Sequence, residues 1–142
     1  SRRAIESQRG ASAVEFVLVV PLLMALVFAI ITYGLVAAQQ IALNHAVREG
    51  ARAAVVVSTG STGTVSDKVN TAFTWERNDS DAVSVSTSVT RNGSQVTGVT
   101  TCGSGLGDDL RVEGTYPTWT LFSSVPGVPE NLTAGTVFRC EF

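Results

Sequence analysis

Apolar residues follow two rhythms along the first part of the chain. From Phe16 to Ala38 they are almost continuous, interrupted by Pro21, Thr32 and Gly34. From Gln39 to Val57 they thin out, and Leu43, Val47, Ala51 and Ala54 recur at steps of three and four. That spacing marks one face of a helix. No proline interrupts the second stretch, and the cluster Ser58-Thr59-Gly60-Ser61-Thr62-Gly63 closes it. The pattern predicts a single helix of about 40 residues, half of it apolar all round and half amphipathic. Gly50 weakens that helix by only about 1 kcal/mol relative to alanine. Glu49 and Arg52 are spaced to pair on its exposed side.

The rhythm changes after Gly63. Val65, Val69, Ala72 and Phe73 keep helical spacing and predict a short second helix over 64–75. Residues 82–90 alternate between valine and serine or threonine, the period of a half-buried strand. Asn92-Gly93 supplies a tight hairpin turn, and 95–101 reads as the returning strand. Further strands are expected over 110–116 and 136–142, with a long loop between them carrying Pro117, Pro126 and Pro129. Trp119, Phe122 and Val125 of this loop are expected to fold back onto the head, with subunit contact or surface adhesion as the alternative. The fold class is therefore α+β: a long amino-terminal helix packed by a small antiparallel sheet whose apolar face covers its projecting half. The chain divides into a basic segment 1–10, a helix 11–57 and a head 64–142.

Composition sharpens this picture. Charged residues make up only 15% of the 142, and none falls between Glu15 and Arg48. A single domain of this size cannot bury such a stretch. Residues 16–38 as a helix reach about 34 Å, slightly more than a hydrocarbon core of about 30 Å. A lone span in lipid must be helical, because its backbone polar groups have no other partners. The apolar core of a cleaved signal peptide is shorter, roughly 7–15 residues, so a retained membrane span is expected. Arg2, Arg3 and Arg9 precede the span, which places the amino terminus in the cytoplasm and Arg48 onward outside. A single-pass span with the head on the outer side is the expected arrangement. The basic residues form no tract suited to nucleic acid.

Glu15 lies directly against the apolar run. An acid in a first helical turn is favoured by the helix dipole. At the edge of lipid an ionised carboxylate is also expensive and calls for a cation. An α-amino group freed by cleavage after Gly10 would supply one, on the same chain or on a neighbour.

The string RGASAVEFVLVVPLLMALVFAIITYG, with the later run NHAVREGARAA, resembles the amino-terminal signature of TadE-like proteins. These are minor pilins of tight-adherence (Flp-type) pili. The resemblance is carried by Gly10, Glu15-Phe16, Pro21 and residues 44–54, and it is dense from Arg9 to Val57. It implies a pilin-like fold, with prepilin peptidase cutting between Gly10 and Ala11. It further implies that Glu15 and Phe16 serve assembly and that the helix packs against other pilin subunits. A contribution to pilus assembly and surface adhesion follows from the same resemblance. The alternative is a permanently anchored binding protein that is neither processed nor polymerised.

Cys102 and Cys140 are the only cysteines and fall on the expected outer side. In an exported head a disulfide between them is expected. Closing that loop would contribute about 4 kcal/mol in the chain-entropy view. No nucleophile–base pair, phosphate loop or zinc spacing points to catalysis, and no cofactor or metal is expected. His45, four residues before Glu49, reads as part of an exposed helical pair, and Asp108-Asp109 as a solvated turn.

Overall fold

The computed structural model describes residues 2–56, 62–73, 75, 82–96, 102, 107–121 and 125–140. Helix α1 runs from Arg2 to Val56 and contains Pro21. Helical backbone therefore begins well before the apolar run and includes most of the basic segment. Helix α2 spans Thr62–Ala72, and the amide of Phe73 still donates to the carbonyl of Val69 at 2.9 Å. Among the described residues four strands follow: β1 (Ser84–Arg91), β2 (Ser94–Val96), β3 (Asp109–Pro117) and β4 (Asn131–Arg139). They form one antiparallel sheet in the order β2-β1-β3-β4. The α+β architecture expected from the sequence is thus present.

The chain separates into two compact units, 1–35 and 36–142. The first is helix alone. Leu18, Leu22, Leu26 and Ile30 are each more than half exposed. Within Ala13–Val55 an 18-residue stretch reaches a mean hydropathy of 2.8, and none of that stretch is buried. A helix apolar on every side has no core of its own and must be covered by lipid or other helices. Within it the Thr32 hydroxyl donates to the Phe28 carbonyl at 2.8 Å, satisfying one of the few polar groups in the run.

The second unit has a conventional core. Leu43, Val47, Ala51 and Ala54 are all buried, together with Ala46 and the α2 residues Val65 and Val69. The sheet presents matched rows to this helix face: Val85, Gly114 and Ala134 lie abreast, as do Val89, Leu110 and Phe138. The row through Gly114 and Ala134 is small because the helix sits on it. A Cβ at Gly114 would meet the Val47 side chain at 2.7 Å and that of Val83 at 3.1 Å. Gly50 has the corresponding role toward α2, where a Cβ would run into Val69. Its small helix penalty is thus exchanged for a close approach of two helices. Phe73 at the end of α2 packs on Tyr116 of β3, with ring centroids 4.6 Å apart. Asn70 ties the elements together by accepting from the Val83 amide at 2.8 Å.

The hairpin turn falls at Asn92-Gly93, both with positive φ, between the paired residues Arg91 and Ser94. This is the backbone that a two-residue connection needs to match the strand twist. The return strand is short, Ser94–Val96, and 97–101 lie outside the described residues, as do Phe122 and the expected break at 79–81. The last strand differs from the expectation of 136–142. It begins at Asn131, and its pairing with β3 extends over the segment read as loop. Leu132, Ala134, Thr136 and Phe138 face inward there, but Ala134 and Gly135 are too small to show the alternation as hydropathy. Glu49, Arg52 and His45 are exposed, as expected for the outer side of α1.

Candidate functional site: the apolar helix and the Gln39–Trp119 contact

Gly10, Ala11, Glu15 and Phe16 all lie within the continuous helix α1. Five residues of helix separate Gly10 from Glu15, a rise of about 7.5 Å. Glu15 and Phe16 are exposed, Phe16 by 70%. They stand at the head of an apolar surface that is uncovered among the described residues. These four residues belong to the first unit, whereas the two cysteines belong to the second.

Where the apolar run ends, the sequence places Gln39 and Gln40. Gln39 is fully buried. Its side-chain amide accepts from the Trp119 backbone N–H at 3.1 Å and donates to the Trp119 carbonyl at 2.8 Å. Both backbone groups of a loop residue are thereby satisfied by one side chain, as a strand partner would do. Gln40 donates to the Thr133 carbonyl on β4 at 2.9 Å. The two glutamines fasten the loop and edge strand to the helix, and the hydropathy pattern gave no sign of this. A pair of amides closing an apolar run was the available signal.

At the opposite end of β3, Cys102 and Cys140 are joined, with Cα atoms 5.6 Å apart. The Cys140 amide donates to the Asp108 carbonyl at 2.7 Å, continuing the β3–β4 ladder beyond the strands. Asp108 is not in a solvated turn: its side chain is 4% exposed and accepts two hydrogen bonds from Arg91, at 2.8 and 2.6 Å. The Arg91 hydrogen bonds, with a smaller contribution from its charge, hold the Asp108 carboxyl below its ordinary 3.8 against the opposing effect of burial. Arg91 is raised by the same contact. Asp109, by contrast, is exposed on the outer face of the sheet. This end of the sheet is therefore closed by a covalent bond and an ion pair.

The outer face of β3 and β4 carries a shallow depression of about 460 Å³, lined by Arg111, Glu113, Thr133, Gly135 and Val137 among others. Arg111 and Glu113 pair across its floor at 2.6 Å, and both are about half exposed. A pair so accessible to water contributes little. Among the described residues no three His, Cys, Asp or Glu side chains are grouped to hold a metal ion.

The chain thus combines an uncovered apolar helix, long enough to cross a membrane, with a small disulfide-closed α+β head. Residues 10–52 match the family model of TadE-like proteins. The matched segment starts at Gly10 and covers the apolar run and most of the amphipathic half of α1. The match covers less than a third of the chain, and over that segment the helix is similar to TadE-like proteins. No curated protein and no solved structure matches the chain.

Proposed function

We propose that this protein is a pilin-like subunit of a tight-adherence pilus or a related apparatus, held in the inner membrane by α1 with its head outside. The observation that carries the reading is the family match over 10–52, laid on a helix whose apolar surface is uncovered. Residues 1–10 act as the leader, and prepilin peptidase cuts between Gly10 and Ala11. Gly10 helps by lowering helix stability at the scissile bond, by about 1 kcal/mol relative to alanine. Cleavage places a new α-amino group on Ala11, one helical turn from Glu15. Within the chain or across to a neighbour, that cation compensates the carboxylate at the lipid edge. Release from the membrane then exchanges lipid for the helices of other subunits. The disulfide in the head agrees with an oxidising compartment, and the head contributes to pilus assembly and adhesion at the cell surface.

Intact-mass spectrometry of the protein from its native membrane and from sheared surface material tests the reading. A chain beginning at Ala11 is expected. A chain retaining Arg9-Gly10 would deprive Glu15 of its partner and favour a permanently anchored binding protein.

A further inference from the structure

We propose that the loop flanking Trp119, residues 117–121 and 125–129, seats its apolar side chains in the interfacial layer of the bilayer from which α1 emerges. The chain would then touch the membrane twice, through a span and through a loop distant in sequence. The inference rests on the reading that the apolar run crosses a bilayer.

Position is the first argument. Ala38 ends the apolar run, so Gln39 stands at the level where lipid gives way to water. Helical side chains lean toward the helix amino terminus, which carries the Gln39 amide back toward the run. Trp119 is held to that amide through both of its backbone polar groups. Its backbone is therefore held at the membrane boundary.

Chemistry is the second. From Gly114 to Pro129 the sequence contains no Asp, Glu, Lys or Arg. Leu121 is 49% exposed, and Trp119, Val125 and Val128 are half-buried. Pro117, Pro126 and Pro129 are exposed and bring no N–H that would need a partner. Two backbone amides of the loop are satisfied internally: Thr118 N–H donates to the Glu130 carbonyl at 2.8 Å and Val128 N–H to that of Val125 at 3.2 Å. An uncharged, aromatic-bearing and internally hydrogen-bonded loop suits the layer where tryptophan concentrates.

The third argument is continuity. Trp119 is bonded to Gln39, the residue that follows the apolar run, so the lipid proposed to cover that run is the occupant proposed for the loop, and not a separate ligand. Lacking basic residues, the contact has no electrostatic part and is indifferent to anionic headgroups.

The test uses the full chain carrying Trp75→Phe, reconstituted in phosphatidylcholine vesicles containing lipid spin-labelled either near the headgroup or near the bilayer centre. Trp119 fluorescence should be quenched at least about twofold more by the shallow label, since the two differ greatly in depth within a core of about 30 Å. Adding anionic lipid or salt should leave the ratio unchanged. Leu121→Asp should reduce shallow quenching while the protein still resists alkaline carbonate extraction. The difference between wild type and Trp119→Phe gives the same readout should Trp75→Phe not fold. Protein that resists extraction but shows no lipid quenching of Trp119 would overturn this inference and leave the span intact. An emission shift that follows protein-to-lipid ratio, without quenching, would assign the patch to a second copy and also overturn it. Extraction of the protein by carbonate would instead remove the spanning reading itself.

Discussion

The side chain of Gln39 satisfies both backbone polar groups of Trp119, a residue 80 positions away. A buried primary amide is costly unless it both donates and accepts, and here the backbone carbonyl and N–H of one residue serve both purposes. Gln39→Leu should therefore leave the Trp119 N–H and carbonyl without these bonds and cost about 1–3 kcal/mol. Gln39→Glu should be worse, since a carboxylate oxygen would face the Trp119 carbonyl. Hydrogen exchange checks this: the Trp119 amide should lose protection in Gln39→Leu, while amides at the disulfide end of β3 keep theirs. Equal loss throughout the sheet would mean that Gln39 supports the whole head and not the loop.

Gly114 marks where the helix settles on the sheet. A methyl group there meets Val47 and Val83 too closely, so Gly114→Ala should destabilise the head by about 1–3 kcal/mol through overpacking. Denaturant unfolding of the detergent-solubilised chain measures it. Combining the change with Val47→Ala should recover part of the loss, because the two side chains would compete for one space. Simple additivity would show that the contact is not the source.

Asp108 gives the head an acid-sensitive element. Its carboxyl is depressed in the folded protein, mainly by hydrogen bonds from Arg91. The folded state therefore binds that proton less readily than the unfolded chain. The resulting stabilisation is fully present above the ordinary carboxyl value of 3.8 and is lost as pH falls through the lower folded value. Asp108→Asn should lower the unfolding midpoint at neutral pH and flatten its decline between about pH 5 and pH 2. An acid limb with the wild-type slope would place the titration on other carboxyls.

Glu15→Ala should leave expression and membrane insertion intact while reducing recovery in sheared pili at least about tenfold, the scale of a lost charge pair in a poorly solvated site. Gly10→Ala should slow processing, read as retained leader mass. Wild-type pilus incorporation of Glu15→Ala would remove the role proposed for the carboxylate.

Much of the anchor was legible in the sequence for a simple reason. Lipid imposes a local demand, a long uncharged run, that one stretch of chain meets alone. The amphipathic continuation was equally readable, since Leu43, Val47, Ala51 and Ala54 declare their face by spacing. The Asn92-Gly93 turn also depends only on local backbone preference. The start of β4 was hidden because its inward row includes Ala134, whose burial depends on the facing Gly114 and on the helix above it. Asp108 looked like a loop acid because its partner, Arg91, approaches across the sheet.

The amino-acid sequence by itself determined the membrane-length helix, the α+β class, the hairpin and the family resemblance of the helical segment. Each of these follows from periodicity, charge or turn chemistry within a short window. Tertiary structure alone decided that Gln39 holds Trp119, that Gly50 and Gly114 are sites of close approach, and that Arg91 covers Asp108. Those relationships join residues far apart in the chain. Their energies come from exclusion of water and matched geometry, which exist only once the sheet has closed over the helix.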